Sequence, residues 1–318
     1  MLVVPFCAFG ASMNQPHALS NELVVETSPT YPQPYEDVQI SLSLYTGDLN
    51  SANITWYEDG KEVLSGKGEK VFNFKTSGAG KETNIDIYIT MLDGISFSKS
   101  ISINPASIDL VWEAQTYTPP FFKGKAMHSP QGLVKIVAIP EFVRNGQRVS
   151  SSNLVYKWTK GTDVLESNSG YGKDSVLVSG SLFGRTDEIQ VIATDPVSGS
   201  SAATIIYISP TNPEIIFYQN DPYYGHIFDT AVSNTLDLKS EEVEIVAAPF
   251  YFSKESGSGL RYEWRLNNQI ISSLYGSMTA IFKRPEGESG SSAISLRIEN
   301  QNKVLQQANE SLIIKFKN

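Results

Sequence analysis

Leu154-Val155-Tyr156-Lys157-Trp158 and Leu260-Arg261-Tyr262-Glu263-Trp264 are two versions of one phrase, with their tryptophans 106 residues apart. A third version, Ala52-Asn53-Ile54-Thr55-Trp56, ends 102 residues before Trp158. Each is a short strand-like run that stops at an indole. Three and four residues later come turn-forming pairs: Asp59-Gly60, Gly161-Thr162 and Asn267-Asn268. Another extended stretch follows each pair. Strand, tight turn, strand is the signature of a β-hairpin, and its recurrence points to repeated units of about 100 residues.

The echo extends both ways from the tryptophans. Upstream, Val134-Lys135-Ile136-Val137-Ala138-Ile139-Pro140 matches Val243-Glu244-Ile245-Val246-Ala247-Ala248-Pro249, with a weaker version in Val38-Gln39-Ile40-Ser41-Leu42. Downstream, second turns begin at Asp93, Asp195 and Asn300, which lie 37, 37 and 36 residues after their tryptophans. Asn84–Ile89 and Ala293–Ile298 alternate polar and apolar residues with period two, and Ile189–Ala193 holds the equivalent place in the middle. That period sends one face to a core and the other to water, as an antiparallel sheet requires. Long amphipathic helices are absent from the pattern. The reading is all-β: three consecutive immunoglobulin-like antiparallel β-sandwich domains. Prolines at Asn104-Pro105 and within Ser209–Pro213 stop one sheet before the next begins. They place the domains at 22–105, 106–210 and 211–318.

The composition narrows the function. Of 318 residues, 41% are hydrophobic and 19% charged, enough apolar material for sizeable cores. The net charge of −9, with no Lys/Arg cluster, disfavours nucleic acid as a partner. The single cysteine is Cys7. Leu2–Ala11 is an apolar run followed by small residues, so 1–21 reads as a truncated signal segment and the chain as exported, to an extracellular, cell-surface or periplasmic site. Its removal leaves no thiol for a disulfide. No later apolar run approaches the roughly 20 residues of a membrane span.

With these residues in view, the chain resembles the bacterial tandem immunoglobulin-like and PKD-like exported proteins. The resemblance rests on Tyr-x-Trp followed by an Asn, Asp or Gly turn, clearest at Tyr156-Lys157-Trp158 and Tyr262-Glu263-Trp264. PKD-like domains follow this tryptophan with an acidic and glycine-bearing turn, from which Thr159-Lys160-Gly161 and Arg265-Leu266-Asn267 depart. The resemblance implies a structural spacer or an adhesive or glycan-binding accessory.

Catalytic chemistry finds few parts. The three histidines, His17, His128 and His226, read as exposed loop residues. One to a domain, they do not build a multi-histidine metal site without inter-domain contact, and with the leader removed no cysteine is left for a Cys–His pair. Glu241, Glu242 and Glu244 cluster along a strand whose neighbours point to opposite faces, and read as solvated edge charge. Hairpin carboxylates such as Asp93 and Asp195 offer oxygen ligands for calcium, without a dense Asp/Asn loop pattern. The chain therefore reads as a non-enzyme with no cofactor and no metal. Trp56, Trp158 and Trp264 read as core.

Two aromatic, proline-bearing insertions stand out after the first strand of the second and third repeats. One holds Tyr117, Phe121 and Phe122, the other Tyr223, Tyr224 and His226. Loop aromatics either pack against a domain joint or contact a partner, since they bury large area at low entropy cost. The expected function is a non-catalytic surface protein, a structural spacer or adhesion module for a cell-surface protein or glycan. The alternative is a carbohydrate-binding accessory protein using these aromatics.

Overall fold

The computed structural model describes residues 22–181 and 184–317; the expected signal segment 1–21 lies outside them. The chain is all-β apart from short 3-10 turns. The first repeat holds β1 (Leu23–Ser28), β2 (Asp37–Leu44), β3 (Asn53–Glu58), β4 (Lys61–Lys67), β5 (Val71–Lys75), β6 (Thr83–Thr90) and β7 (Ser96–Ile103). The second holds β8 (Ser107–Ala114), β9 (Leu133–Glu141), β10 (Val143–Arg144), β11 (Gln147–Arg148), β12 (Val155–Lys160), β13 (Asp163–Val164), β14 (Gly170–Tyr171), β15 (Ser175–Ser179), β16 (Asp187–Thr194) and β17 (Ser201–Ile208). The third holds β18 (Glu214–Asp221), β19 (Gly225–His226), β20 (Thr235–Leu238), β21 (Glu242–Phe250), β22 (Leu260–Leu266), β23 (Gln269–Ile270), β24 (Thr279–Lys283), β25 (Gly290–Asn300) and β26 (Gln307–Phe316).

One pairing scheme recurs in all three. A small sheet joins β1-β2-β5, β8-β9-β15 and β18-β21-β24, the last extended by β19. A larger sheet joins β4-β3-β6-β7, β13-β12-β16-β17 (with β14 also on β12) and β23-β22-β25-β26, the last extended by β20. The strand that follows each tryptophan-bearing strand thus stays in the same sheet as the tryptophan. In a constant-type immunoglobulin domain the fourth strand joins the opposite sheet, so the basic division here is three and four strands.

The hairpin turns fall where the sequence places them. Asp59 and Gly60 both have positive φ, as do Asn267 and Asn268, which the tight two-residue turn of a right-twisted hairpin requires. The strand faces alternate as expected: β6 buries Thr83, Ile85, Ile87 and Ile89 and exposes or half-exposes the residues between. Among the described pairings one departs from the antiparallel expectation. β20 lies parallel to β26, Thr235 opposite Ile313 through Leu238 opposite Phe316, because the chain crosses between the sheets after β19.

All three repeated indoles are buried, at 0% exposure for Trp56 and Trp158 and 1% for Trp264. Each donates its ring N–H to a backbone carbonyl at 2.8 Å: Trp56 to Glu69, Trp158 to Lys173 and Trp264 to Ser277. The indole body thereby fills apolar space and its polar atom finds a partner. In the first repeat Trp56 packs with Ile54, Phe72, Ile85 and Ile87. In the third, Trp264 packs with Phe217, Phe282 and Leu296.

The chain groups into two compact units. One runs as far as Asp109 and adds Pro140–Tyr156 and Ile192–Thr204; the other comprises Leu110–Ile139, Lys157–Val191 and Ile205 onward. Within the first unit, Ser200 Oγ donates to the Asn104 carbonyl at 2.8 Å and Gly80 N–H to the Pro105 carbonyl at 3.1 Å. Asp195, 1% exposed, accepts from Arg144 at 2.9 and 3.1 Å, from Ser198 Oγ at 2.7 Å and from Val197 N–H at 3.0 Å. Burial pushes its carboxyl pKa up, but these hydrogen bonds and the Arg144 cation outweigh that and hold it below the usual range. The carboxylate considered for calcium is occupied in closing its own turn.

Among the described residues no helix is long and apolar enough to cross a membrane.

Candidate functional site

The two aromatic insertions belong to the second unit. The first begins where β8 ends. Gln115–Tyr117 runs alongside Tyr251–Lys254: Tyr117 N–H donates to the Phe252 carbonyl at 2.7 Å, Tyr251 N–H to the Tyr117 carbonyl at 2.8 Å, and Lys254 N–H to the Gln115 carbonyl at 3.0 Å. Thr116 and Ser253 form a bridge between them. Pro119 and Pro120 then end any ladder, since neither carries an N–H.

This pairing lays Tyr117 on the outer face of β18 and β21, in a second apolar cluster with Tyr218, Ala248, Phe250, Phe228 and Tyr251. Phe122 sets its ring edge-on to Phe250, centroids 5.3 Å apart. Phe228 meets Tyr218 at 5.1 Å and His226 at 5.6 Å. β21 is consequently buried on both faces from Ile245 to Phe250. Burial raises the phenol pKa of Tyr117 and Tyr218, and pushes Tyr262, which Tyr117 also perturbs, up to about 12. The patch stays uncharged near neutrality.

Three of the inserted aromatics stand in water: Phe121 is 96% exposed, Tyr223 92% and Tyr224 87%. Their backbones are fixed. Phe122 N–H donates to the Pro119 carbonyl at 3.3 Å beneath Phe121. Asp221 Oδ1 accepts from Tyr223 N–H at 2.7 Å and Tyr224 N–H at 3.0 Å, and Gly225 completes the turn at φ +74°. Phe121 sits at φ +63°, the left-handed region where a side chain strains its own backbone. Phe121→Gly is therefore expected to raise stability by roughly 1 kcal/mol, read as a higher urea midpoint at unchanged m-value. A lower midpoint would mean the ring contributes packing to the folded chain.

Beside the tyrosine tip, polar side chains are held in line. Asn220 Nδ2 donates to Glu244 Oε2 at 2.7 Å, so its Oδ1 faces His226 Nδ1 at 2.7 Å and assigns the ring proton there. Asn220, Asp221, Asp237, Glu242 and Glu244 line an open cleft of about 700 Å³ with Ile281 on its wall. Of the glutamates read as edge charge, Glu242 pairs with Lys283 at 3.3 Å and Glu244 holds Asn220. Among the described residues no group of three or more His, Cys, Asp or Glu is placed to hold a metal ion.

Two buried polar residues beside this region were not read as buried from the sequence. His128 is 1% exposed, which corrects its reading as a loop residue in water. Gln306 is fully buried: its Nε2 lies within 2.8–2.9 Å of Ser129 Oγ, Pro130 O and Ser253 Oγ, and its Oε1 accepts from Ser253 N–H and Asn300 Nδ2.

No protein-family model matches the chain, and no curated protein matches it significantly. Similar solved structures include the three N-terminal domains of the highly immunogenic outer capsid protein of bacteriophage RB49, at 11% identity and a TM-score of 0.28, covering 93% of this chain and 98% of that one. The central fibronectin-III array of RIM-binding protein is 12% identical with a TM-score of 0.32, covering 93% and 96%. SGBP-B of the Bacteroides ovatus mixed-linkage glucan utilization locus, in complex with a mixed-linkage heptasaccharide, is 14% identical with a TM-score of 0.24, covering 90% and 65%. Likeness at this level carries no information on function.

Proposed function

We propose that the chain is a non-catalytic, exported interaction module of a bacterial cell surface. Its three sandwich domains, at 22–105, 106–210 and 211–318, carry aromatic contacts to a partner. The observation that carries the reading is the exposure of Phe121, Tyr223 and Tyr224 on backbones fixed by hydrogen bonds. Large rings held in water by an ordered frame lose little entropy when a partner covers them. The signal-like residues 1–21 and the proline-bearing joints support export and a spacer arrangement.

The partner class favoured first is a cell-surface protein. The glycan alternative draws on one specific feature, two exposed tyrosines beside the Asn220, Asp221 and Glu244 side chains of the cleft. Aromatic faces stack on sugar rings, and planar amides and carboxylates hydrogen-bond their hydroxyls.

The test is a screen of the chain against envelope proteins and polysaccharides, with Phe121→Ala, Tyr223→Ala and Tyr224→Ala beside it. Because these side chains are almost wholly exposed, each variant is expected to keep its stability within about 0.5 kcal/mol or gain slightly. Binding is expected to weaken at least tenfold in one or more of them. A partner whose affinity all three leave unchanged contradicts the assignment of the surface.

A further inference from the structure

The four residues His128–Gln131 join a buried ring to a clasp. The His128 ring lies against Gly180, where a Cβ would collide with Cε1 and Nε2; a Cβ at Gly132 would stand 3.5 Å from Nδ1. Nδ1 is buried without a hydrogen-bond partner. The charged groups acting on the ring are Asp187 and Lys160, and they are committed to each other at 3.0 Å. Lys160 Nζ also donates to the Ser179 carbonyl at 2.6 Å, and Asp187 Oδ2 accepts from Ser181 N–H at 3.0 Å. Neither is turned over to the imidazole.

The next three residues hold the third repeat. Ser129 Oγ and Pro130 O meet Gln306. The Gln131 carbonyl accepts from Lys303 Nζ at 2.6 Å and its Oε1 from Leu305 N–H at 3.0 Å. Lys303 also pairs with Glu255. The His128 carbonyl itself accepts from Thr211 N–H at 2.6 Å. The ring and these contacts share one short backbone segment, so a shift of that backbone with the ring disturbs them together.

We propose that His128 is an acid trigger: proton uptake expels its ring from its seat over the paired Gly132 and Gly180 and releases the clasp of Ser129–Gln131 on the third repeat. Burial lowers the ring's proton affinity, Asp187 opposes this and Lys160 reinforces it, leaving the pKa below the usual 6.5. A group with a depressed folded pKa keeps the closed state fully stable above the free value of about 6.5. As pH falls below that value, the open state takes up a proton that the closed state refuses, and opening gains up to about tenfold per pH unit.

Hydrogen exchange of the Leu305 and Thr211 amides in the intact chain reads the opening. Between pH 7.5 and 5.5, after correction for intrinsic rates, their protection is expected to fall, by at most about tenfold. In His128→Gln, which keeps a neutral side chain of similar reach, that fall is expected to vanish. Equal pH dependence in both proteins, or none in the native chain, overturns the proposal. Should His128→Gln fail to fold, NMR titration of the native ring decides. Protonation near pH 6.5 with both amides still protected contradicts the trigger, whereas ring protonation and amide deprotection on one titration curve support it.

Discussion

Trp264→Ala is expected to destabilise the chain by about 4 kcal/mol, near the top of what a single substitution does. The indole is 1% exposed and lies between Phe217, centroids 5.8 Å away, and Phe282 at 6.1 Å. Its removal leaves a cavity that β-sheet backbones on both sides cannot close, because their hydrogen-bond ladders fix the sheet spacing. It also strips the Ser277 carbonyl of the ring N–H it accepts at 2.8 Å. Trp264→Phe keeps most of the apolar volume and loses only that donor, so about half the effect is expected. Urea unfolding followed by far-ultraviolet circular dichroism measures both. A midpoint for Trp264→Ala near that of the native chain would contradict a sealed indole. Domains are marginally stable, by about 5–15 kcal/mol, so the alanine variant is expected to expose its third repeat to proteases at room temperature.

Gln306→Ala carries the second large effect, about 3 kcal/mol. The side chain is fully buried and serves five partners. Truncation takes away the amide that Pro130 O, Ser129 Oγ and Ser253 N–H share in a buried setting. Leaving buried polar groups without partners costs more than a satisfied hydrogen bond contributes. Gln306→Glu separates charge from shape: it keeps Oε1 as an acceptor, but places an anion against the carbonyl of Pro130, so a loss of the same order is expected. Thermal unfolding of both variants checks this; a shift in Tm under about 2 °C in either would mean that water replaces the amide.

What the sequence made legible is what local rules govern. The strand–turn–strand phrase around each tryptophan needs only alternation and two turn residues, and Asp59-Gly60 and Asn267-Asn268 supply the positive φ angles directly. The parallel pairing of β20 with β26 has no such local mark, since Thr235–Leu238 reads the same in either direction. The double-sided burial of β21 did leave a sign in the near-continuous apolar run Ile245–Phe252, but the residues that cover its outer face lie over 100 positions earlier, at Tyr117 and Phe122. Phe121 and Phe122 are chemically identical neighbours, yet one faces water and the other Phe250. The left-handed φ of Phe121 sits at that parting, and no composition rule foretells it. His128 and Gln306 were opaque for a related reason. A polar residue is buried only where distant segments furnish partners or exclude water, and those segments meet only in the folded chain.

The claim on which the rest depends is that each recurring indole is sealed between its own pair of sheets. Solvent exchange of the four tryptophan indole N–H groups, resolved by NMR, tests it in a single experiment. Trp56, Trp158 and Trp264 are expected to exchange over hours or longer, while half-buried Trp112, with Lys125 Nζ 3.2 Å above its ring, exchanges within minutes. Rapid exchange at any of the first three would contradict the account.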